Sequence, residues 1–124
     1  MENNQVEIAR RDTKEKTSVS MDGLTETVSA LLLEIQSNLF ERAKAYRDDH
    51  ITKVDSWEEF VSVLDTKTGF ISAHWDGTAE TEDKIKELTK ATIRCIPLDN
   101  PLEAGKCIHS GNPSTQRVLF ARSY

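Results

Sequence analysis

The sequence has 124 residues, of which 37% are hydrophobic and 30% charged, with a formal net charge of −5. Such a chain suits one soluble domain of ordinary size, with room for a remnant of a second, and excludes a disordered segment. Its longest apolar stretch, residues 30–33, falls far short of the roughly 20 residues a membrane-spanning helix needs. No membrane partner is expected.

The N-terminus, Met1-Glu2-Asn3-Asn4, has no basic-then-apolar run, so no secretory signal is read and a cytoplasmic location is expected. The acidic balance argues against autonomous nucleic-acid binding, which depends on neutralising phosphates. The two cysteines, Cys95 and Cys107, are expected to be reduced and buried.

Residues 6–9 and 17–20 alternate apolar and polar side chains, a strand signal. The charged segment 10–16 between them reads as a turn, so a hairpin or two successive strands are expected. Leu24, Val28, Leu31, Leu32, Ile35, Leu39 and Ala43 then recur at helical spacing. They predict one apolar stripe on a long helix ending near Tyr46. Asp22 is its expected N-cap, and Lys44 and Arg47 lie where the helix dipole favours cations.

Ser56 and Glu59 have capping-box spacing and predict a second helix that buries Phe60, Val61 and Leu64. Residues 65–69 read as a turn and 70–75 as a strand, broken by Asp76-Gly77-Thr78. A third helix is expected over roughly 80–91, with Ile85 and Leu88 inward. Residues 92–96 read as a strand stopped by Pro97, 98–106 as a loop, 106–108 as a short strand and 110–113 as a turn. Residues 117–121 carry apolar side chains on both faces and predict a central strand. The order β-α-β-α-β-β predicts an α/β (α+β) two-layer sandwich, a mixed sheet with helices on one face.

No glycine-rich phosphate loop and no Gly-x-Ser-x-Gly elbow is present. His50 reads as a solvated loop residue and His74 as a structural strand residue. Cys107, His109, Asp76 and Glu80 are the nearest approach to a metal set. A structural zinc normally takes four ligands, mostly thiolates in closely spaced pairs. One loop cysteine without Cys-x-x-Cys does not supply them, so no zinc is expected. Arg10, Arg11, Lys14 and Lys16 form a basic cluster interleaved with Asp12 and Glu15. It reads as a solvated turn or as an RNA-facing edge. Glu58, Glu59, Glu80, Glu82, Asp83 and Glu87 read as solvent faces of helices. The last strand runs almost directly into Tyr124.

Several segments resemble the C-terminal part of the archaeal- and eukaryotic-type prolyl-tRNA synthetases, a type also found in some bacteria. They are residues 6–13 with Lys16, residues 73–77 with Glu82, Ile85 and Lys86, residues 91–97, and the terminal block of Gly105–Ile108, Ser110, Gly111, Pro113 and 120–124. The resemblance covers nearly the whole chain. It implies that residues 1–20 are the last strands of an anticodon-binding domain and 21–124 the appended C-terminal domain. It also implies a fold like the C-terminal domain of a bacterial translation initiation factor, a two-layer β-α-β-α-β-β sandwich.

In many members of that family four cysteines hold one zinc. Their positions correspond here to Asp76, Thr81, Cys107 and Ser110, with His109 in place of Ser110 where the last pair is tighter. Only Cys107 is a thiol, so the resemblance also implies a zinc-free site held by hydrogen bonds and packing. The family places its final tyrosine and carboxylate near the aminoacylation site, a role that falls to Tyr124.

ATP and Mg²⁺ chemistry would belong to the parent ligase, whose signature motifs are absent from these residues. No cofactor is expected in the fragment, and no catalytic residue apart from the approach of Tyr124. The implied partners are the other domains of the synthetase and, through the parent, tRNA(Pro), with Arg10 and Arg11 as candidate contacts. The parent is expected to be a homodimer and the fragment a monomer. The competing reading is a free-standing RNA-binding or adaptor protein of the same fold.

Overall fold

The computed structural model describes residues 4–123. The chain forms two compact units, Met1–Tyr46 and Arg47–Tyr124.

In the first unit, β1 (Gln5–Ala9) and β2 (Lys16–Ser20) form an antiparallel hairpin, Gln5 opposite Ser20 and Ala9 opposite Lys16. The helix α1 (Leu24–Asp49) follows and runs across the unit boundary. The hairpin turn is more than a solvated charged loop. Asp12, its side chain only 2% exposed, accepts from Arg10 Nε and Nη2 and from Asn38 Nδ2 of α1 at 2.7 Å. Arg42 Nη1 reaches the Asp12 carbonyl, and Arg10 Nη1 binds Glu34 at 2.6 Å. These polar contacts bolt the turn to the helix. The Arg10 guanidinium, then the Asn38 amide, hold the Asp12 carboxyl well below the usual carboxylate range.

The predicted apolar stripe of α1 is divided. Leu24, Leu31 and Ile35 are half-buried, and Leu31 lines a shallow cleft with Ile8 and Val19. Val28, Leu32 and Leu39 remain 38%, 62% and 48% exposed, Leu33 and Phe40 outside the stripe are more than half exposed, and no α1 residue is fully buried. The expected cap differs too: α1 begins at Leu24, so Gly23, whose carbonyl accepts from Thr27 N at 3.0 Å, holds the cap position, and the Asp22 carboxylate accepts from Asn4 Nδ2.

The second unit contains β3 (Ile51–Lys53), α2 (Trp57–Thr66), β4 (Phe70–His74), α3 (Ala79–Thr89) and β5 (Ala91–Cys95). The short strands β6 (Gly105–Lys106) and β7 (Pro113–Ser114) and the last strand β8 (Arg117–Arg122) complete it. Its sheet has the order β3-β4-β8-β5, with β3 parallel to β4 and β8 antiparallel to both β4 and β5. The predicted α+β sandwich with a mixed sheet is thus present, and β8 is central as its two apolar faces required. The three-residue β3 had no signal in the sequence. β6 begins before the predicted 106–108, and Pro113, read as a turn residue, lies in β7.

Strand alternation puts Ile71, Ala73, Val118 and Phe120 on one face, where they meet Phe60 of α2 and Ile85 of α3. The Phe60 and Phe120 rings meet edge to face at 5.2 Å, and Trp57 stacks on Phe60 at 5.4 Å. Leu88, expected inward, is 65% exposed. Ser56 Oγ accepts from the Glu59 amide as the capping box requires, but the Glu59 carboxylate accepts from the amide of Asp55, one residue before the cap. α3 ends at Thr89 because Lys90 takes the left-handed conformation, φ 63°, which turns the chain into β5.

Candidate functional site

Two loops meet at the end of the sheet, one after β4 and one between β6 and β7. The first begins Trp75-Asp76-Gly77-Thr78, with Gly77 at φ +83°, a turn that a side chain would strain. Thr78 then caps α3, its hydroxyl accepting from the Thr81 amide. Asp76 closes the turn locally, its Oδ1 accepting from Thr78 N at 3.1 Å and Thr78 Oγ1 at 2.8 Å.

The other carboxylate oxygen reaches further. Asp76 Oδ2 accepts from Thr81 Oγ1 at 2.9 Å, from Ser110 Oγ at 2.6 Å and from Asn112 Nδ2 at 3.2 Å. Ser110 and Asn112 belong to a tight turn closed by Cys107 N to Asn112 O at 2.8 Å and Gly111 N to Cys107 O at 3.0 Å. One carboxylate therefore ties the first helix turn of α3, its own loop and the 107–112 turn together. Burial pushes its pKa up, but the bonds from Ser110, Thr78 and Thr81 outweigh that and hold it well below the usual range.

The positions singled out in the sequence thus divide. Asp76, Thr81 and Ser110 come together in one hydrogen-bonded cluster. Cys107 is buried and shapes the turn through its backbone. His109 leaves the cluster and packs its ring edge against Trp57 at 4.9 Å, while Glu80 pairs with Lys84 at 2.7 Å. Asn112 and Thr78 were not foreseen as members, although Asp-Gly-Thr before a helix is a turn-and-cap signature.

The donor set does not fit a structural zinc. It offers one thiol, one carboxylate already accepting five hydrogen bonds, and two hydroxyls that donate to that carboxylate. Among the described residues no group of three or more His, Cys, Asp or Glu is placed to hold a metal ion.

A second polar network lies on the sheet face opposite the helices. His74 and Arg117 are direct cross-strand partners and point the same way. His74 Nδ1 is 3.1 Å from Ser114 Oγ, and Gly105 lies so close that an added Cβ would sit 2.3 Å from His74 Nε2. Arg117, only 7% exposed, binds the Val54 and Ser72 carbonyls, the Asp55 carboxylate and Glu103. Glu103 also receives Lys53 Nζ, and the Arg117 bond, then the Lys53 bond, lower its pKa to about 2. His74 is thus structural, as read from the sequence. His50, expected in solvent, is half-buried, and its carbonyl accepts from Phe70 N at 2.8 Å. Cys95, expected buried, is exposed.

Of the candidate RNA contacts, Arg10 is engaged by two carboxylates and Arg11 is exposed. Tyr124 lies outside the described residues.

Comparison with known proteins matches residues 57–124, more than half of the chain, to the family described as Prolyl-tRNA synthetase, C-terminal. Relatives named proline–tRNA ligase include those of Christiangramia forsetii, 57% identical, Cytophaga hutchinsonii, 58%, and Porphyromonas gingivalis, 57%. Each match covers 100% of this chain and 25% of the relative, so the chain spans about a quarter of their length.

Proposed function

The chain belongs to the prolyl-tRNA synthetase C-terminal family, and on that premise we propose that it is the non-catalytic end of a proline–tRNA ligase. The parent activates proline with ATP and Mg²⁺ and attaches it to tRNA(Pro), using residues outside this chain. The observation that carries this reading is a match over the whole chain, at 57% identity, to a quarter of a proline–tRNA ligase. A free-standing RNA-binding or adaptor protein is not favoured, since the relatives carry this segment within a chain about four times longer.

In this reading residues 1–20 end the anticodon-binding domain and 21–124 form the appended domain that braces the rest. The Asp76 cluster takes over the work of a metal clip, joining two loops with hydrogen bonds that need no ion. Arg11 is the freer of the two candidate tRNA contacts, and Tyr124 approaches the aminoacylation site. That role for Tyr124, and assignment to the archaeal- and eukaryotic-type branch, rest on the motif resemblance alone. The relatives named above come from bacteria. The parent acts in the cytoplasm as a homodimer, and this portion alone is a monomer. Among the described residues no helix is long and apolar enough to cross a membrane.

Proline-dependent ATP–pyrophosphate exchange by the purified parent tests the reading. Exchange that needs proline, and that weakens when Tyr124 is deleted, is expected. No proline dependence rejects the ligase, and unchanged kinetics after the deletion reject the role of Tyr124. Metal analysis of the parent from zinc-replete cells is expected to find no bound zinc, and one zinc per chain would contradict the hydrogen-bonded clip.

A further inference from the structure

Asp-Gly occurs twice in this chain, at Asp22-Gly23 and Asp76-Gly77, and the two copies stand in opposite surroundings. The dipeptide matters chemically because glycine has no side chain to shield its amide nitrogen from the preceding carboxyl. That nitrogen can attack the aspartate Cγ. A C–N bond forms, a Cγ–O bond breaks, and the hydroxyl leaves with the amide proton as water. Water then opens the cyclic imide. Opening at Cγ restores aspartate, whereas opening at the main-chain carbonyl gives isoaspartate, in which the main chain runs through Cβ and Cγ. Water is the only co-reactant.

The two glycines are alike. Both take positive φ, +72° at Gly23 and +83° at Gly77. An added Cβ would meet only Glu26 Oε2 at 3.9 Å at the first and nothing within 4 Å at the second. Neither amide donates a hydrogen bond to any described residue. The carboxylates are what differ. Among the described residues Asp22 is exposed and accepts one side-chain hydrogen bond, from Asn4 Nδ2 at 3.1 Å. Asp76 is half-buried and accepts five, three of them on Oδ2. Ring closure expels one carboxyl oxygen and turns the other, so at Asp76 it would deprive Thr78, Thr81, Ser110 and Asn112 of their shared acceptor. The attack also proceeds on the neutral acid, and the donors around Asp76 favour its ionised form.

We propose that Asp22 is a site of spontaneous isoaspartate formation in the folded protein, and that the donors around Asp76 guard the same dipeptide there. The hydrogen bonds that join the two loops thereby have a second, chemical effect. Isoaspartate at 22 lengthens the main chain between β2 and α1. Met21 N donates to the Asn4 carbonyl and Thr27 N to the Gly23 carbonyl on either side of it, both at 3.0 Å.

The test incubates the full-length parent in heavy-oxygen water at neutral pH, folded and in guanidinium chloride, and maps the peptides that span each dipeptide. Every imide that opens takes up one heavy oxygen, and an isoaspartyl methyltransferase with S-adenosylmethionine counts the isoaspartate. In the unfolded protein the two sites should label at similar rates. In the folded protein labelling at 22 should exceed that at 76 by at least about tenfold, which a carboxyl pKa lowered by a single unit already gives. Isoaspartate should collect at 22 and not at 76. Labelling at 76 as fast as in the unfolded protein would overturn the guard, and labelling at 22 slowed to the level of 76 would overturn the site.

Discussion

The two units of this protein are held by different physics. The second encloses a core in which Phe60, Ala73, Ile85, Ala91, Val118 and Phe120 are completely buried. In the first, none of the described residues 4–46 is buried, and its hairpin and helix are held by ladder hydrogen bonds and by the Arg10–Asp12–Asn38 staple. Apolar burial is the main favourable term in folding, whereas polar contacts exchange water for protein at modest gain. The second unit therefore carries its own stability. The first leaves most of the apolar side chains of α1 in water.

Ways to break this contrast begin in the core. Phe120→Ala removes the ring that meets Phe60 and should cost about 3–5 kcal/mol, a large share of a small domain's stability. Denaturant unfolding of the chain checks this, and a loss below about 1 kcal/mol would contradict the assigned core. Asp76→Ala should cost about 1–3 kcal/mol, because Thr81, Ser110 and Asn112 lose their shared acceptor at a half-solvated site. Hydrogen exchange should then quicken in residues 107–112 and in the first turn of α3, with no response to added zinc or chelator.

Acid should act through Glu103. Its pKa is lowered from 4.5 to about 2 by Arg117 and Lys53, so its ionised form stabilises the fold fully above pH 4.5. That contribution is lost as pH falls from 4.5 through about 2. Thermal midpoints of the chain and of E103Q should differ at neutral pH and converge across that window. A constant difference would reject the ion pairs as its source.

The smallest expected effect sharpens the comparison most. Leu32→Ser with Phe40→Ser should change stability of this chain by less than about 0.5 kcal/mol, since both side chains are already mostly in water. The same pair in the full-length parent should be clearly destabilising if a neighbouring segment covers α1. Equal, negligible effects in both would mean that the helix face is never covered.

Much of the fold was legible because its signals are local. Two-residue alternation marked β1 and β2, the Ser56–Glu59 spacing marked the start of α2, and the doubly apolar run 117–121 marked the central strand. β3 escaped notice because Ile51-Thr52-Lys53 is too short for periodicity, and it exists as a strand only through its pairing with β4. The candidate site was half legible. Asp76, Thr81 and Ser110 were named as positions, through a family resemblance, while Asn112 joins them only because the 107–112 turn aims its amide at the carboxylate.

Alone, the sequence determined the three helices, the longer strands, the strand that must be central and the shortage of thiols for zinc, since periodicity, capping and ligand chemistry are properties of neighbouring residues. Only the tertiary structure decided which carboxylate gathers the two loops. It also decided that Arg117 and Glu103 are inside a network and that half of the α1 stripe, Leu98 and Leu102 are left in water. Those outcomes depend on which distant segments meet, and a carboxylate, an arginine or a leucine reads the same in one dimension whether buried, paired or exposed.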